Sequence, residues 1–140
     1  MDWRFRERVC SLIKLKKFIY LISPNKINKN FYYSLDKVLS INNVKFFQLR
    51  CKKTRLKKLS IIATKIKKIT TKHKVKLIIN DYLDLACEIK ADGCHIGQSD
   101  MPIKMARKKI KRKILGVTCH NSKILATDAI RNKADYIAFG

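Results

Sequence analysis

The chain has 140 residues, 46% of them hydrophobic, which fits one globular domain with a buried core. Its 33 Lys and Arg against 10 Asp and Glu give a formal net charge of +23. The lysines lie along predicted helix faces, without interleaved aromatic residues to stack on bases, which favours a solvated basic surface over a nucleic-acid interface. No hydrophobic run approaches the roughly 20 residues of a transmembrane helix, which argues against a membrane-spanning protein.

Residues 1–17 form a basic N-terminal extension, and the predicted domain occupies 18–140. Arg4, Arg6 and Arg8 are typical of an organelle presequence, but Asp2 and Glu7 argue against one, and a short helix is the alternative. Beyond the extension, six hydrophobic runs predict strands at 18–22, 44–49, 75–79, 93–96, 114–118 and 136–139.

Segments with helical periodicity lie between most of these strands. One hydrophobic stripe follows Leu56, and a second helix is expected over 81–90. Asp100 is a predicted N-cap for a helix entered through Pro102, and Ser122 is the predicted N-cap of the next. The residues expected to face inward on that last helix are Leu125, Ala126, Ala129 and Ile130.

Strands alternating with helices through short connections predict a parallel sheet covered by helices. No GxGxxG or Walker loop follows any strand, so the α/β fold we expect is a TIM (β/α)₈-type barrel and not a nucleotide-binding open sheet. Such a barrel needs eight strands in ~250 residues, and about six of the eight βα units are present. We therefore expect the chain to be the N-terminal part of a longer enzyme, poorly soluble alone or dependent on a partner.

Acidic residues follow two neighbouring predicted strands at the point where each strand ends. Asn80 and Asp81 come after the third strand and Asp100 after the fourth. The carboxyl ends of parallel strands meet at one edge of the sheet, where two carboxylates can hold a hard cation through oxygen ligands. For each Asp taken singly, a helix N-cap is the favoured explanation. Their occurrence at successive strand ends favours a metal site.

Gln48, Arg50 and Lys52 alternate with hydrophobic residues at the end of the second predicted strand. In an extended segment all three polar side chains leave by the same face. An amide, a guanidinium and an ammonium directed at one volume form a site for anionic oxygens. With the two aspartates across the edge, the ligand that this set predicts is a Mg²⁺-bound diphosphate, whose departure from carbon the cations would assist.

The five cysteines form no CxxC pair and are an odd number, so we expect reduced, mostly buried thiols in a cytosolic protein. The dipeptides Cys94-His95 and Cys119-His120 could suggest a soft-metal site. Adjacent strand residues point to opposite faces, however, so each dipeptide offers only one ligand to a given site.

The segments FQLRCKK, LIINDYLDLACEIKADGCHIGQSDMP, ILGVTCH and ADYIAFG, in this order and spacing, resemble the thiamine phosphate synthase family. The resemblance runs from about residue 19 to residue 140. It implies a TIM barrel and a cytoplasmic transferase of thiamine biosynthesis. This enzyme joins 4-amino-2-methyl-5-(diphosphooxymethyl)pyrimidine, here the pyrimidine diphosphate, to 4-methyl-5-(2-phosphooxyethyl)thiazole, here the thiazole phosphate. The products are thiamine phosphate and diphosphate.

The resemblance also implies roles for residues. The family's reaction is dissociative and needs no general acid or base from the protein. Thr118 occupies a position where the family usually has serine. The implied ligands of the pyrimidine diphosphate are Gln48, Arg50, Lys52, Asn80 and Thr118, and those of Mg²⁺ are Asp81 and Asp100. The implied partners are the two small-molecule substrates, without specific nucleic acid or membrane, and a homo-oligomer is compatible with the sequence.

The sequence also departs from the family pattern. Cys51 replaces an acidic residue, and the last two strands, which carry a glycine-rich thiazole phosphate site in the family, are not in this sequence. One alternative is therefore a non-catalytic remnant of the enzyme. Another is a thiazole tautomerase of the same superfamily, which uses a histidine near the position of His120, although Asp81 and Asp100 weigh against it.

Overall fold

The computed structural model describes residues 17–41 and 43–140, so all of the predicted extension except Lys17 lies outside the described residues. Strands and helices alternate along these residues. In chain order the elements are β1 Ile19–Ile22, α1 Lys29–Leu39, β2 Val44–Leu49, α2 Leu56–Lys72, β3 Lys76–Asn80, α3 Leu83–Glu88, β4 Gly93–Ile96, α4 Ile103–Ile110, β5 Ile114–Thr118, α5 Lys123–Arg131 and β6 Tyr136–Ala138.

The strands form one parallel sheet whose spatial order equals the chain order, β1-β2-β3-β4-β5-β6. A doubly wound open sheet would instead reverse its strand order at a switch point. The sheet also curls, because the hydroxyl oxygens of Tyr20 in β1 and Tyr136 in β6 lie 2.6 Å apart although these are the two outermost strands. Together the order and the curl confirm the predicted barrel-type fold with about six βα units.

Strand positions agree closely with the sequence pattern. The bounds of β2, β4 and β5 are those predicted, β1 and β6 are one residue shorter at one end, and β3 is shifted by one residue. Helix α1 was not singled out from the sequence. Asn28 begins it by accepting the Phe31 N–H at 2.9 Å, and the helix buries Leu35 and Leu39.

Neither Asp100 nor Asp81 caps a helix, although a cap was the alternative explanation for each. Helix α4 begins after Pro102 without a side-chain cap, and the Asp100 carboxylate instead accepts the Gly97 N–H at 2.5 Å. Helix α3 begins after Tyr82, so Asp81 is not its cap either. The Ser122 cap is confirmed, since its hydroxyl oxygen accepts the Leu125 N–H at 3.3 Å.

The core lies between the sheet and the helices, and the hydrophobic faces of the helices contribute its outer layer. Leu59, Ala63 and Ile66 of α2 are buried against the sheet, as the stripe predicts. On α5, Ala126 and Ala129 are buried, but Ile130 is 63% exposed. The predicted inward position of Ile130 is therefore wrong, because the helix packs through its two alanines and turns the next residue outward.

The cysteines fit the prediction of reduced thiols where the structure describes them. Cys51, Cys94 and Cys119 are free and buried, while Cys87 is free and partly buried. Cys10 lies outside the described residues. Among the described helices, none is long and hydrophobic enough to cross a membrane.

Two aspartates that precede strands fix the amino-terminal edge of the sheet. Asp92 accepts the Leu77 N–H at 2.9 Å, and Asp135 accepts the Leu115 N–H at 2.7 Å. Each carboxylate thus accepts from the backbone N–H of the second residue in the strand of the preceding βα unit. Lys67 pairs with Asp92 at 2.7 Å, and Arg107 pairs with Asp135 at 2.5 Å. The opposite, carboxyl-terminal edge carries the polar residues that follow the strands.

Candidate active site

A cavity of about 780 Å³ opens at the carboxyl-terminal edge of the sheet. It lies where parallel α/β folds place their functional residues. The structure brings every predicted site residue to this one cavity: Gln48, Arg50, Lys52, Asn80, Asp81, Asp100 and Thr118.

The polar residues of β2 and β3 form a gradient of depth. Gln48 and Asn80 are buried in the cavity wall, Arg50 is half-buried and Lys52 is exposed. Cys51, between the two cations, points to the other side and is buried in the core, as the alternation predicts. The uncharged amides of Gln48 and Asn80 are therefore the buried part of this set, and the cations Arg50 and Lys52 lie nearer the rim. This arrangement suits a ligand with a neutral ring and an anionic tail.

Asp81 sits at the end of β3 in a left-handed backbone conformation with φ of 66°. Its N–H donates to the His95 carbonyl at 2.8 Å, which extends the pairing of β3 with β4 by one residue. Non-glycine residues adopt this conformation uncommonly, and it occurs often at functional sites. Here this conformation directs the Asp81 side chain into the cavity. The carboxylate does not cap the following helix.

The Asp81 carboxyl has a raised pKa, first because of burial and then because Asp100 lies beside it, although Lys52 and Arg50 act in the opposite direction. A divalent cation beside these two neighbouring carboxylates would offset the unfavourable interaction between their negative charges. Their oxygens are also the ligands that Mg²⁺ prefers. The described residues contain no cluster of three or more metal-ligating side chains. A cation held here would complete its coordination with water and ligand oxygens.

The loop after β4 is held against β5 by hydrogen bonds. The Gly97 N–H donates to Asp100, and the Gln98 side-chain amide donates to the Thr118 carbonyl at 2.5 Å. Asp100 is therefore positioned by its own loop and not by helix α4. His120, in the loop after β5, also lines the cavity, but it is exposed at the rim.

A hydrogen-bonded chain of side chains below the rim was not anticipated from the sequence. His95 Nδ1 lies 2.9 Å from the Tyr136 hydroxyl, and His95 Nε2 lies 2.8 Å from Thr118 Oγ1. Tyr136 in turn meets Tyr20. The available sequence signal was the presence of polar side chains inside strands otherwise made of hydrophobic residues.

Burial controls the ionisation of this chain of side chains. It lowers the pKa of His95 to about 4, opposed by the charge of Asp100, which raises the pKa, and assisted by that of Arg50, which lowers it. It also raises the pKa of Tyr20 to about 12 and raises that of Tyr136. All three groups are neutral at pH 7, so their hydrogen bonds join uncharged partners.

Comparison with known proteins identifies relatives over nearly the whole domain. The model of the family described as thiamine monophosphate synthase matches residues 19–140. The Pelagibacter ubique protein named thiamine-phosphate synthase is 61% identical over 127 residues, which are 89% of this chain and 61% of that protein. A Methanobrevibacter smithii protein of the same name is 43% identical over 123 residues, 87% of this chain and 58% of that protein.

A solved structure has the same fold. The thiamine phosphate pyrophosphorylase from Pyrococcus furiosus matches with a TM-score of 0.78 and 26% sequence identity, over 89% of this chain and 60% of that one. The chain thus spans about three fifths of the length of these relatives.

Proposed function

Because the chain belongs to the thiamine monophosphate synthase family, we propose that its cavity binds the pyrimidine diphosphate. We propose further that it transfers the pyrimidine to the thiazole phosphate, with release of diphosphate. The observation that carries this proposal is the convergence of two amides, two cations and two carboxylates on one cavity. The family resemblance and the independent chemistry of the side chains lead to the same ligand.

The depth gradient supports one orientation of the substrate in the cavity. Gln48 and Asn80, buried in the wall, would hydrogen-bond the pyrimidine ring, because amides offer both donors and acceptors to ring nitrogens and amino groups. Arg50 and Lys52 at the rim would bind the diphosphate oxygens. Thr118, half-buried in the same cavity, would donate its hydroxyl to a diphosphate oxygen.

Asp81 and Asp100 would hold Mg²⁺ through their carboxylate oxygens. When bound, the cation would screen the diphosphate charge and draw electron density from the oxygen that leaves carbon. Both carboxylates are available for this role, because neither caps a helix.

As the bond between carbon and diphosphate breaks, negative charge develops on the departing oxygens. Arg50 and Lys52 line the same cavity, so they would stabilise this charge as it develops. The pyrimidine cation that remains is attacked by the thiazole nitrogen, whose lone pair is free. The protein supplies no general base, in keeping with a His95 that is neutral and hydrogen-bonded at both ring nitrogens.

The test is Mg²⁺-dependent formation of thiamine phosphate from the two substrates by this chain and by its Asp81→Asn and Asp100→Asn variants. Both substitutions keep the side-chain shape and remove a charge, so both should lower turnover by roughly 100-fold or more. Asp84→Asn is the matched control, since Asp84 is an exposed acid on α3 outside the cavity. Unchanged turnover in both site variants would contradict the metal assignment.

Binding must be measured beside turnover. Tight, Mg²⁺-dependent binding of the pyrimidine diphosphate without product would contradict the transferase proposal and support the non-catalytic alternative. Binding that requires neither carboxylate, together with dependence on His120, would support the tautomerase alternative. We also propose a cytoplasmic location, supported by the free thiols of the described cysteines.

A further inference from the structure

The four side chains Tyr20, Tyr136, His95 and Thr118 form one continuous path from the first strand to the cavity. The successive distances are 2.6 Å between the phenol oxygens, 2.9 Å from Tyr136 to His95 Nδ1, and 2.8 Å from His95 Nε2 to Thr118 Oγ1. Thr118 and Tyr20 both line the cavity. The path therefore begins and ends at the ligand site.

The path is held rigidly. The rings of His95 and Tyr136 stack with centroids 5.5 Å apart, and Tyr20 stacks on Phe46 at 5.5 Å. Below Tyr136 lies Gly116, where even a Cβ would be 2.0 Å from the tyrosine ring. Because this packing excludes other ring positions, the two arrangements open to the network differ only in where the hydroxyl and imidazole protons lie.

A count of donors and acceptors allows two arrangements of these protons. Each hydroxyl donates once, and neutral His95 donates from one ring nitrogen and accepts at the other. In the outward arrangement Tyr20 donates to Tyr136, Tyr136 donates to Nδ1, and Nε2–H donates to Thr118. In the inward arrangement Thr118 donates to Nε2, Nδ1–H donates to Tyr136, and Tyr136 donates to Tyr20.

The two arrangements differ at the cavity. In the outward arrangement the Thr118 hydroxyl proton is free to donate to a ligand oxygen, whereas in the inward arrangement it is committed to His95. An anionic ligand that accepts from Thr118 thus selects the outward arrangement and the Nε2–H form of His95.

We propose that Tyr20 and Tyr136 are positioning residues that set, through the tautomer of His95, whether Thr118 can donate a hydrogen bond to the diphosphate. This inference rests on the proposed function for the identity of the ligand. The two-arrangement network itself is independent of that identity.

The test is the tautomer of His95, followed by nitrogen-15 NMR of the imidazole rings in the chain. The sequence has 3 histidines, so loss of one signal set in His95→Gln assigns the resonances, and His73 serves as an internal reference. Adding inorganic diphosphate with Mg²⁺ should shift His95 toward Nε2–H. No change of tautomer on demonstrated binding would overturn the proposal, and the tautomer itself is read in the unaltered chain, with His95→Gln used only for assignment.

Variants separate the roles of the two tyrosines. Tyr20→Phe leaves the Tyr136 hydroxyl proton without an acceptor in the inward arrangement, whereas in the outward arrangement it only leaves the Tyr136 oxygen without a donor. His95 should therefore move to Nε2–H without ligand, and diphosphate should bind roughly two- to tenfold tighter. Tyr136→Phe breaks the path, so the effect of Tyr20→Phe should vanish in the double variant. Tyr33→Phe, which removes an exposed phenol on α1, should change neither quantity.

The outcomes also distinguish this inference from the proposed function. A tautomer shift in Tyr20→Phe with no diphosphate binding to any form would support the network while contradicting the assigned ligand. Diphosphate binding with identical His95 tautomers in the wild-type, Tyr20→Phe and Tyr136→Phe proteins would overturn the network and leave the function standing.

Discussion

The ring of Tyr136 occupies the space that a side chain on Gly116 would fill. A Cβ added to Gly116 would lie 2.0 Å from Tyr136 Cζ and 2.2 Å from its hydroxyl oxygen. The two residues are directly paired across β5 and β6, so the absence of one side chain creates the position of the other. This pair sets the place from which Tyr136 reaches both Tyr20 and His95.

Gly116→Ala should therefore destabilise the protein by about 1–3 kcal/mol, the usual effect of overpacking a filled interior. Thermal or urea unfolding monitored by circular dichroism measures the loss. In a double-mutant cycle with Tyr136→Ala, the two substitutions should lose less than the sum of their separate effects, because the clash is gone. Strict additivity would show that Gly116 does not act through Tyr136.

Stability should fall on acidification between pH 6.5 and about 4 because His95 is buried as a neutral ring. Burial lowers its pKa from 6.5 to about 4, so in this window the unfolded chain binds a proton that the folded chain does not. The loss accumulates to about 3 kcal/mol at pH 4 and grows no further below it. Urea unfolding across this range measures the slope. His95→Gln should remove most of it, and an unchanged slope in that variant would assign it to other groups.

The strand-entry carboxylate of Asp92 should contribute more than surface charges do. It accepts the Leu77 N–H and pairs with Lys67, and although burial opposes its ionisation, these contacts leave its pKa lowered. Asp92→Asn keeps the shape but loses the charged acceptor, which should destabilise the fold by about 1–3 kcal/mol.

Asp84→Asn is the control for Asp92→Asn. Its carboxylate also pairs with a lysine, Lys109, but its side chain is 82% exposed. We expect a change below about 0.5 kcal/mol, as for other exposed ion pairs. Equal effects of the two substitutions on the urea midpoint would mean that the hydrogen bond to Leu77 contributes nothing measurable.

Arg50 should bind the diphosphate through the geometry of its guanidinium group as well as through its charge. Arg50→Lys keeps the charge but replaces a planar fork by a single ammonium, so binding of the pyrimidine diphosphate should weaken by roughly tenfold. Calorimetric titration at fixed Mg²⁺ measures this. Arg55→Lys is the matched control, because Arg55 is exposed at the start of α2 and outside the cavity. A similar loss in both variants would reveal a nonspecific charge effect.

Local sequence determined the order of strands and helices and the edge of the sheet that carries the site. Hydrophobic runs locate the strands, and in a parallel sheet all carboxyl ends share one edge, so Arg50, Asp81 and Asp100 converge whatever the details of packing. The roles assigned to these residues in binding and metal coordination remain predictions. The Ser122 cap could likewise be predicted from the sequence, because it depends on a residue only three positions away.

Tertiary structure alone decided which side chains meet across the interior. Asp100 follows a strand and precedes a helix, and only the fold of its loop shows that it binds Gly97 instead of capping. Ile130 lies on the hydrophobic stripe of α5, but the helix packs through Ala126 and Ala129, which leaves Ile130 exposed to solvent. Tyr20 and Tyr136, separated by 116 positions, meet because the curl of the sheet brings its outer strands together. Curl and register arise from the packing of all strands at once, so no pattern within a single segment encodes them.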